Sequence, residues 1–600
     1  MRIPVLALTA ASAMVAALAL PAGATAATAT AATGTASAAA GTDGGGRRFD
    51  QPYTGFAPAG TVLRSASPRA AGLAPDPIAA FEQQVAAWAD PASGAGYLFP
   101  GATSLMVHEG KIVERGATGY ATRYSAPQAE LPRDQWTPAR TDTIYDLASL
   151  SKLFTSLVAV QQLESGRIRL DSPVADYLPE FAVNGKGAIT IRQLLTHTSG
   201  LAPDPEPALW QGYPDIPSRV KAILDTTPVN PAGTTYTYSD LNMLTLQLVL
   251  EKVTGRSLDT LVREDVTRPL HMTDTGYNPP AAKLSRIAAT EYEATPARGL
   301  VHGEVHDENA WAMGGVAGHA GVFSTVDDLA VLAQAILNGG TYRGHRILSR
   351  HGVSLLEENF NQAFPGDSHG LGFELDQIWY MGGLSGPRTL GHTGFTGTSL
   401  VIDPASRSFA VLLTNRVHAT RATPSTNPAR RGIAGALAQA MPVKAPGGGR
   451  SWFSGQGGGT TSTLTTGPLN ASGTVGIDFR SFVNTEATDR LRVEASSDGG
   501  ATWQPLTLHV TGTGAPADGV TSLSGQAVRA WWRVHAEVPN TASGLQLRWR
   551  YTTDSVYEGR GVNLSGLRVT DGTHVLLDGD KPGAPLTPAG WRELPAGGAH

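Results

Sequence analysis

The chain is 600 residues long, with a formal net charge of -5 and no cysteine. Without cysteine, disulfides, thiol catalysis and thiolate zinc sites are excluded, and the near-balanced charge lacks the basic footprint that a nucleic-acid partner needs. At about 150 residues per domain the length is too great for one core, and one large and one smaller domain are expected.

The first residues run Arg2, an apolar stretch from Ile3 to Leu20, Pro21 and the small triplet Ala24-Thr25-Ala26, which reads as a secretory signal over 1–26. No other stretch approaches roughly 18 consecutive apolar residues, so no integral span is expected after processing. The expected location is extracellular, free or associated with the cell wall. Residues 27–65 are rich in Ala, Thr and Gly and too poor in large apolar side chains to order themselves, so they read as a linker with folding beginning near 66. Asp76 before Pro77 reads as the N-cap and first position of a helix running to Trp88. Two strands, Thr103 to Val107 and Lys111 to Glu114, flank Glu109-Gly110, a hairpin turn.

From there to about 445, helical patterns alternate irregularly with short strands, which implies an α+β architecture. Ser399 to Ile402 and Phe409 to Leu413 flank Asp403-Pro404-Ala405-Ser406 as an antiparallel pair. Pro- and Gly-rich residues mark a linker over 446–455. Beyond it Leu545-Gln546-Leu547-Arg548-Trp549-Arg550-Tyr551 alternates with period two and Ser497-Asp498-Gly499-Gly500 is a turn, so 456–600 reads as an all-β sandwich accessory domain.

Ser149-Leu150-Ser151-Lys152 is an S-x-x-K that opens an amphipathic helix with apolar Leu150, Leu153, Leu157 and Val160, closed by Gly166. Three apart on a helix, the Lys152 ammonium lies beside the Ser149 hydroxyl. The first turn's N–H groups and dipole favour an alkoxide and an oxyanion there. A second match, Ser218-Arg219-Val220-Lys221, makes the motif alone weak. What separates the two is company, because Tyr238-Ser239-Asp240 and then His392-Thr393-Gly394 follow Ser149 in order.

With these three motifs the chain resembles the serine β-lactamase and penicillin-binding-protein family, of the class C, D-alanyl-D-alanine carboxypeptidase and esterase type. Other stretches agree with it: Arg167 to Val174, Leu194 to Leu201 and Gly314-Gly315-Val316-Ala317-Gly318. The resemblance covers 66–445 and implies a β-lactamase/transpeptidase-like domain, an antiparallel sheet flanked by helices with a helical subdomain. It implies Ser149 as acylated nucleophile, with Lys152 and Tyr238 sharing the proton traffic. It also implies an oxyanion hole from the N–H groups of Ser149 and Phe395, and a substrate strand paired along His392-Thr393-Gly394, with Thr393 reaching a carboxylate or leaving group. Two departures stand out. His392 replaces a commoner lysine and is only partly charged near neutral pH, which weakens the carboxylate anchor. Asp240 replaces a commoner asparagine, exchanging an amide for an acceptor.

The expected reaction is hydrolysis of an ester, a D-Ala-D-Ala-type peptide or a β-lactam through a Ser149 acyl-enzyme, with no cofactor and no metal, on a small-molecule or peptide substrate. The alternative is a non-catalytic penicillin- or cell-wall-binding protein on the same fold. A metal reading would use His302, Glu304 and His306, which alternate, with Asp307, Glu308 and His319 nearby. In the C-terminal region Trp503, Trp531, Trp532, Trp549 and Tyr551 read mainly as sandwich core, and otherwise as a platform for cell-wall or other extracellular polymer.

Overall fold

A computed structural model describes residues 47–598 apart from 456, 527, 540–543 and 558. The signal reading and most of the first linker lie outside the described residues. Strands β1 (Arg64–Ser65), β2 (Gly101–His108), β3 (Lys111–Thr122), β4 (Glu374–Leu375), β5 (Leu390–Thr393), β6 (Ser399–Asp403) and β7 (Ser408–Thr414) build the main sheet. Their order is β1-β3-β2-β7-β6-β5-β4, antiparallel except for β1 beside β3, with Thr137–Pro138 added against β3. Glu109 and Gly110 both have positive φ, the geometry of a two-residue hairpin turn whose twist matches the strands it joins.

Alternation along the central strands decides which helices cover each face. Ala102, Met106, Val401, Ala410 and Leu412 point to one side and join helices α1 (Pro75–Trp88) and, after the last strand of the sheet, Asn427–Ala440. Leu105, Val107, Leu400, Phe409, Val411 and Leu413 point to the other and join α2 (Ser151–Glu164), α3 (Asp240–Thr254) and α4 (Val326–Leu337). Asn427–Ala440 is α5. Helix α2 buries nearly its whole circumference, which goes beyond the amphipathic stripe expected, because the helices Asp240–Thr254, Leu258–Val262 and Arg350–Glu357 pack around it.

Two local expectations are corrected. Helix α1 starts at Pro75 after Ala74, with no side-chain cap, so Asp76 lies inside the first turn, where its charge still suits the helix dipole. Ordered packing begins well before 66: Phe49 is fully buried, and its N–H donates to Pro442 O. The Tyr53 N–H donates to Ala405 O and the Ala57 N–H to Leu337 O, so the segment is anchored at several points.

Residues 451–594 form two antiparallel sheets facing each other over an apolar core that includes Phe479, Val493, Val534, Leu547, Trp549 and Leu564. Strand Gln546–Thr552 buries every second residue, as its alternation predicts. The first strand of this unit, Ser451–Phe453, falls inside the stretch read as linker, since Trp452 completes the sandwich core. Trp532, Trp549 and Tyr551 are core, whereas Trp503 lies under the Arg548 guanidinium and Trp531 turns toward the main sheet.

Candidate active site

Ser149 is positioned by a tight entry into α2. Asp146, wholly buried, accepts the Ala148 N–H at 2.8 Å and the His306 N–H at 2.6 Å. Ala148 has φ 48°, a left-handed conformation that costs an alanine roughly 1–2 kcal/mol. The Asp146 hydrogen bond holds it there. The turn Ala148–Leu150 runs directly into α2, so Ser149 stands where helix N–H groups lack an intrahelical acceptor. One turn on, Lys152 Nζ lies 2.9 Å from Ser149 Oγ and 3.2 Å from His319 O.

Tyr238 and Asp240 come from the start of α3. The stretch Leu194 to Leu201 folds under them: His197 Nδ1 accepts the Ser239 N–H at 3.1 Å, and its ring lies 4.7 Å from that of Tyr238. The Lys152 ammonium sits 4.8 Å over the Tyr238 ring. Asp240 Oδ1 is 2.7 Å from Lys152 Nζ and forms an ion pair with it.

Burial opposes the Lys152 charge, but Asp240 and then Tyr238 more than offset it, so the ammonium is held above the ordinary lysine range. Burial pushes the Tyr238 phenol up to about 12 while Lys152 pulls it down. The site at rest therefore holds an ammonium and a neutral phenol. Behind Lys152, His319 Nε2 meets Asp307 Oδ1 at 2.9 Å. Against the effect of burial, Asp307 and then Asp240 hold His319 above the usual histidine range. The back wall is thus a row of alternating acidic and basic side chains: Asp307, His319, Asp240, Lys152.

The opposite wall is β5 and the loop after it. Strand β4 covers β5 only as far as Gly391, leaving the His392-Thr393-Gly394 edge open for an extended ligand. His392 is buried, and its Nδ1 lies 2.7 Å from Thr393 O, so Nδ1 carries the proton and Nε2 is a bare acceptor. Burial and then the Lys152 charge pull it down to about 3. This corrects the expectation of partial charge: His392 is neutral.

The cation missing from β5 is supplied elsewhere. Arg416 and Arg430 line the same cleft as Ser149, Tyr238, Thr393 and Phe395, a cavity of about 550 Å³. Arg430 Nη2 donates to Gly394 O at 2.6 Å and Arg416 Nε to Phe395 O at 2.8 Å. Sequence reasoning missed both, because neither belongs to a motif. The Asn427-Pro428 start of α5 was the one available signal, since it aims a helix N-terminus, with Arg430 in its first turn, at a point only the fold reveals. Asp146 was likewise unmarked.

The metal reading is not borne out by placement. Residues 302–306 form no strand, so the alternation of His302, Glu304 and His306 converges on nothing. His302 contacts Ile287 O, Glu304 is exposed beside Arg298, and His306 pairs with Glu291 at 2.8 Å. The buried Glu291, Glu293 and His306 group is already neutralised by Arg298 and Arg421, and Asp240, Asp307 and His319 by Lys152. The second S-x-x-K is a surface feature: Ser218 completes a capping box with Asp215, and Lys221 pairs with Asp225.

Residues 79–435 match the Beta-lactamase family model. The chain belongs to that family, and it is a serine hydrolase of the β-lactamase and penicillin-binding type. It is 34% identical over 396 residues to a "Putative D-alanyl-D-alanine carboxypeptidase" of Escherichia coli K12, covering 61% of this chain and 88% of that protein. A protein of the same description from Salmonella typhi is 32% identical over 397 residues, covering 61% and 89%. Among solved structures it is similar to a penicillin-binding protein homologue from Caulobacter crescentus, at 24% identity and TM-score 0.47, covering 62% of this chain and 99% of that one. It is also similar to EstCE1, a hydrolase with promiscuous acyltransferase activity, at 22% identity and TM-score 0.48, covering 60% and 99%. None of the described helices is long and apolar enough to cross a membrane.

Proposed function

We propose that the protein is an exported D-alanyl-D-alanine carboxypeptidase-type hydrolase that works through a Ser149 acyl-enzyme. The observation that carries this reading is the 2.9 Å contact between Ser149 Oγ and Lys152 Nζ, with Tyr238 packed over the same ammonium. The Lys152–Tyr238 pair must first give up one proton, and the pair then takes the proton of Ser149 as its oxygen attacks the carbonyl. The same proton passes to the leaving amine, and water repeats the sequence to release the acid. The developing oxyanion is met by the N–H groups of Ser149 and Phe395; among the described residues, the Phe395 N–H takes no backbone acceptor.

Thr393, Arg416 and Arg430 make one side of the cleft attractive to an anion, which supports a leaving group with a free carboxylate over a neutral ester. This offsets the loss of charge at His392. The intact trio Ser149, Lys152 and Tyr238 argues against the non-catalytic alternative. Export rests on the N-terminal residues, and among the described residues of the sandwich no exposed aromatic row supports polymer binding.

The test is intact-mass analysis after exposure to a fluorophosphonate and, separately, a penicillin, with Ser149→Ala as control. A single adduct with both reagents, lost in the variant, together with D-alanine release from a D-Ala-D-Ala peptide, is expected. An adduct with the fluorophosphonate alone would turn the reading to an esterase, and none with either would overturn it.

A further inference from the structure

The second oxyanion donor is half of a peptide group whose other half is held from a distance. Gly394 C=O and Phe395 N–H belong to one planar trans unit, so they point in opposite directions. Arg430 Nη2 holds that carbonyl at 2.6 Å and thereby aims the N–H. Its own guanidinium is steadied by Asn427 Oδ1 at 2.8 Å. Both residues lie in the first turn of α5, so the aim of the peptide depends on where α5 sits.

The far end of α5 is fixed by the sandwich. Arg560, on the approach to strand Gly561–Asp571, is 2% exposed; its Nε donates to Ala438 O at 2.9 Å and its Nη2 to Met441 O. It therefore caps the C-terminal carbonyls of α5 with a cation, where both hydrogen bonding and the helix dipole favour one. Phe482, from strand Val475–Asn484, joins the apolar cluster containing Ile433 and Leu437 of α5.

Resting on the acyl-enzyme reading above, we infer that the C-terminal sandwich is a positioning element of the active site, with Arg560 holding α5 so that Arg430 keeps the oxyanion peptide aimed at Ser149. Arg560 is a positioning residue; it touches no substrate.

The experiment compares full-length wild type, Arg560→Met and Arg560→Lys in nitrophenyl acetate hydrolysis and in the rate of fluorophosphonate labelling. A donor displaced by a fraction of an ångström is felt in the transition state, so Arg560→Met is expected to lose about 10- to 100-fold in kcat with KM nearly unchanged. Arg560→Lys should recover part of the loss. Thermal unfolding checks that the variants are folded. If Arg560→Met does not fold, Arg560→Gln, which keeps a donor without the charge, is read in the same way. A folded variant with wild-type kcat, or a loss carried by KM alone, overturns the inference. Failure of the reading beneath it looks different: wild type itself would be inactive and unlabelled at Ser149.

Discussion

At the scale of single residues, the chemistry turns on one departure from the usual motif. Asp240 stands 2.7 Å from the Lys152 ammonium and is the first influence that raises it against burial. An asparagine there would leave the ammonium without its counter-charge. Since the pair must lose a proton before Ser149 can attack, wild-type activity should rise with pH, and Asp240→Asn should move the acid limb of the kcat/KM profile to lower pH. A pH–rate series on both proteins checks this, and an unmoved limb would mean that Lys152 is not the titrating group.

At the scale of elements, α1 closes over the β2–β3 hairpin and buries a carboxyl group that gains little in return. Glu114 is 5% exposed; Ser104 Oγ donates to its Oε1 at 2.8 Å, while Oε2 has no partner. Burial pushes it up to about 7, outweighing the opposing pull of the Ser104 hydrogen bond. Because this folded-state value lies above the ordinary one, the native protein binds the proton more tightly. Stability from this group is complete below about pH 4.5 and is lost as pH rises toward 7. Glu114→Gln should therefore be more stable than wild type at pH 8, by at most about 3 kcal/mol, with the gain vanishing near pH 4. Urea titrations at the two pH values measure it.

At the scale of the whole molecule, the sandwich is joined to the hydrolase sheet by buried charge as well as apolar contact. Arg529 meets Asp403 at 2.6 Å with both side chains almost inaccessible, and its Nη2 donates to Leu384 O at 2.7 Å. Phe49 lies beneath the guanidinium groups of both Arg529 and Arg560, so the N-terminal segment, the sheet and the sandwich meet at one point. Removing one partner of a buried pair strands the other, so Arg529→Met and Asp403→Asn should each cost about 3–5 kcal/mol. The double variant should cost clearly less than their sum, because the two act as one unit. Denaturant unfolding followed by tryptophan fluorescence should also show a single transition.

What was legible in the sequence was local. Hairpin turn chemistry, period-two alternation at Leu545 to Tyr551 and the turn between Asp403 and Ser406 are set by neighbours a few residues apart. The pairing of Ser149 with Lys152 is set by one turn of helix, so spacing alone carries it. The three ordered motifs carried the family for the same reason. What only the tertiary structure decided depends on groups far apart in the chain meeting where water is excluded. His392 is neutral because burial and Lys152 act together, and Lys152 is charged because Asp240 folds against it. Arg416 and Arg430 restore the cation that β5 lacks, and Arg560 reaches α5 from another sheet. None of these carries a periodicity or a spacing. Charge state and long-range support are properties of a three-dimensional environment, and the order of residues specifies them only through the fold.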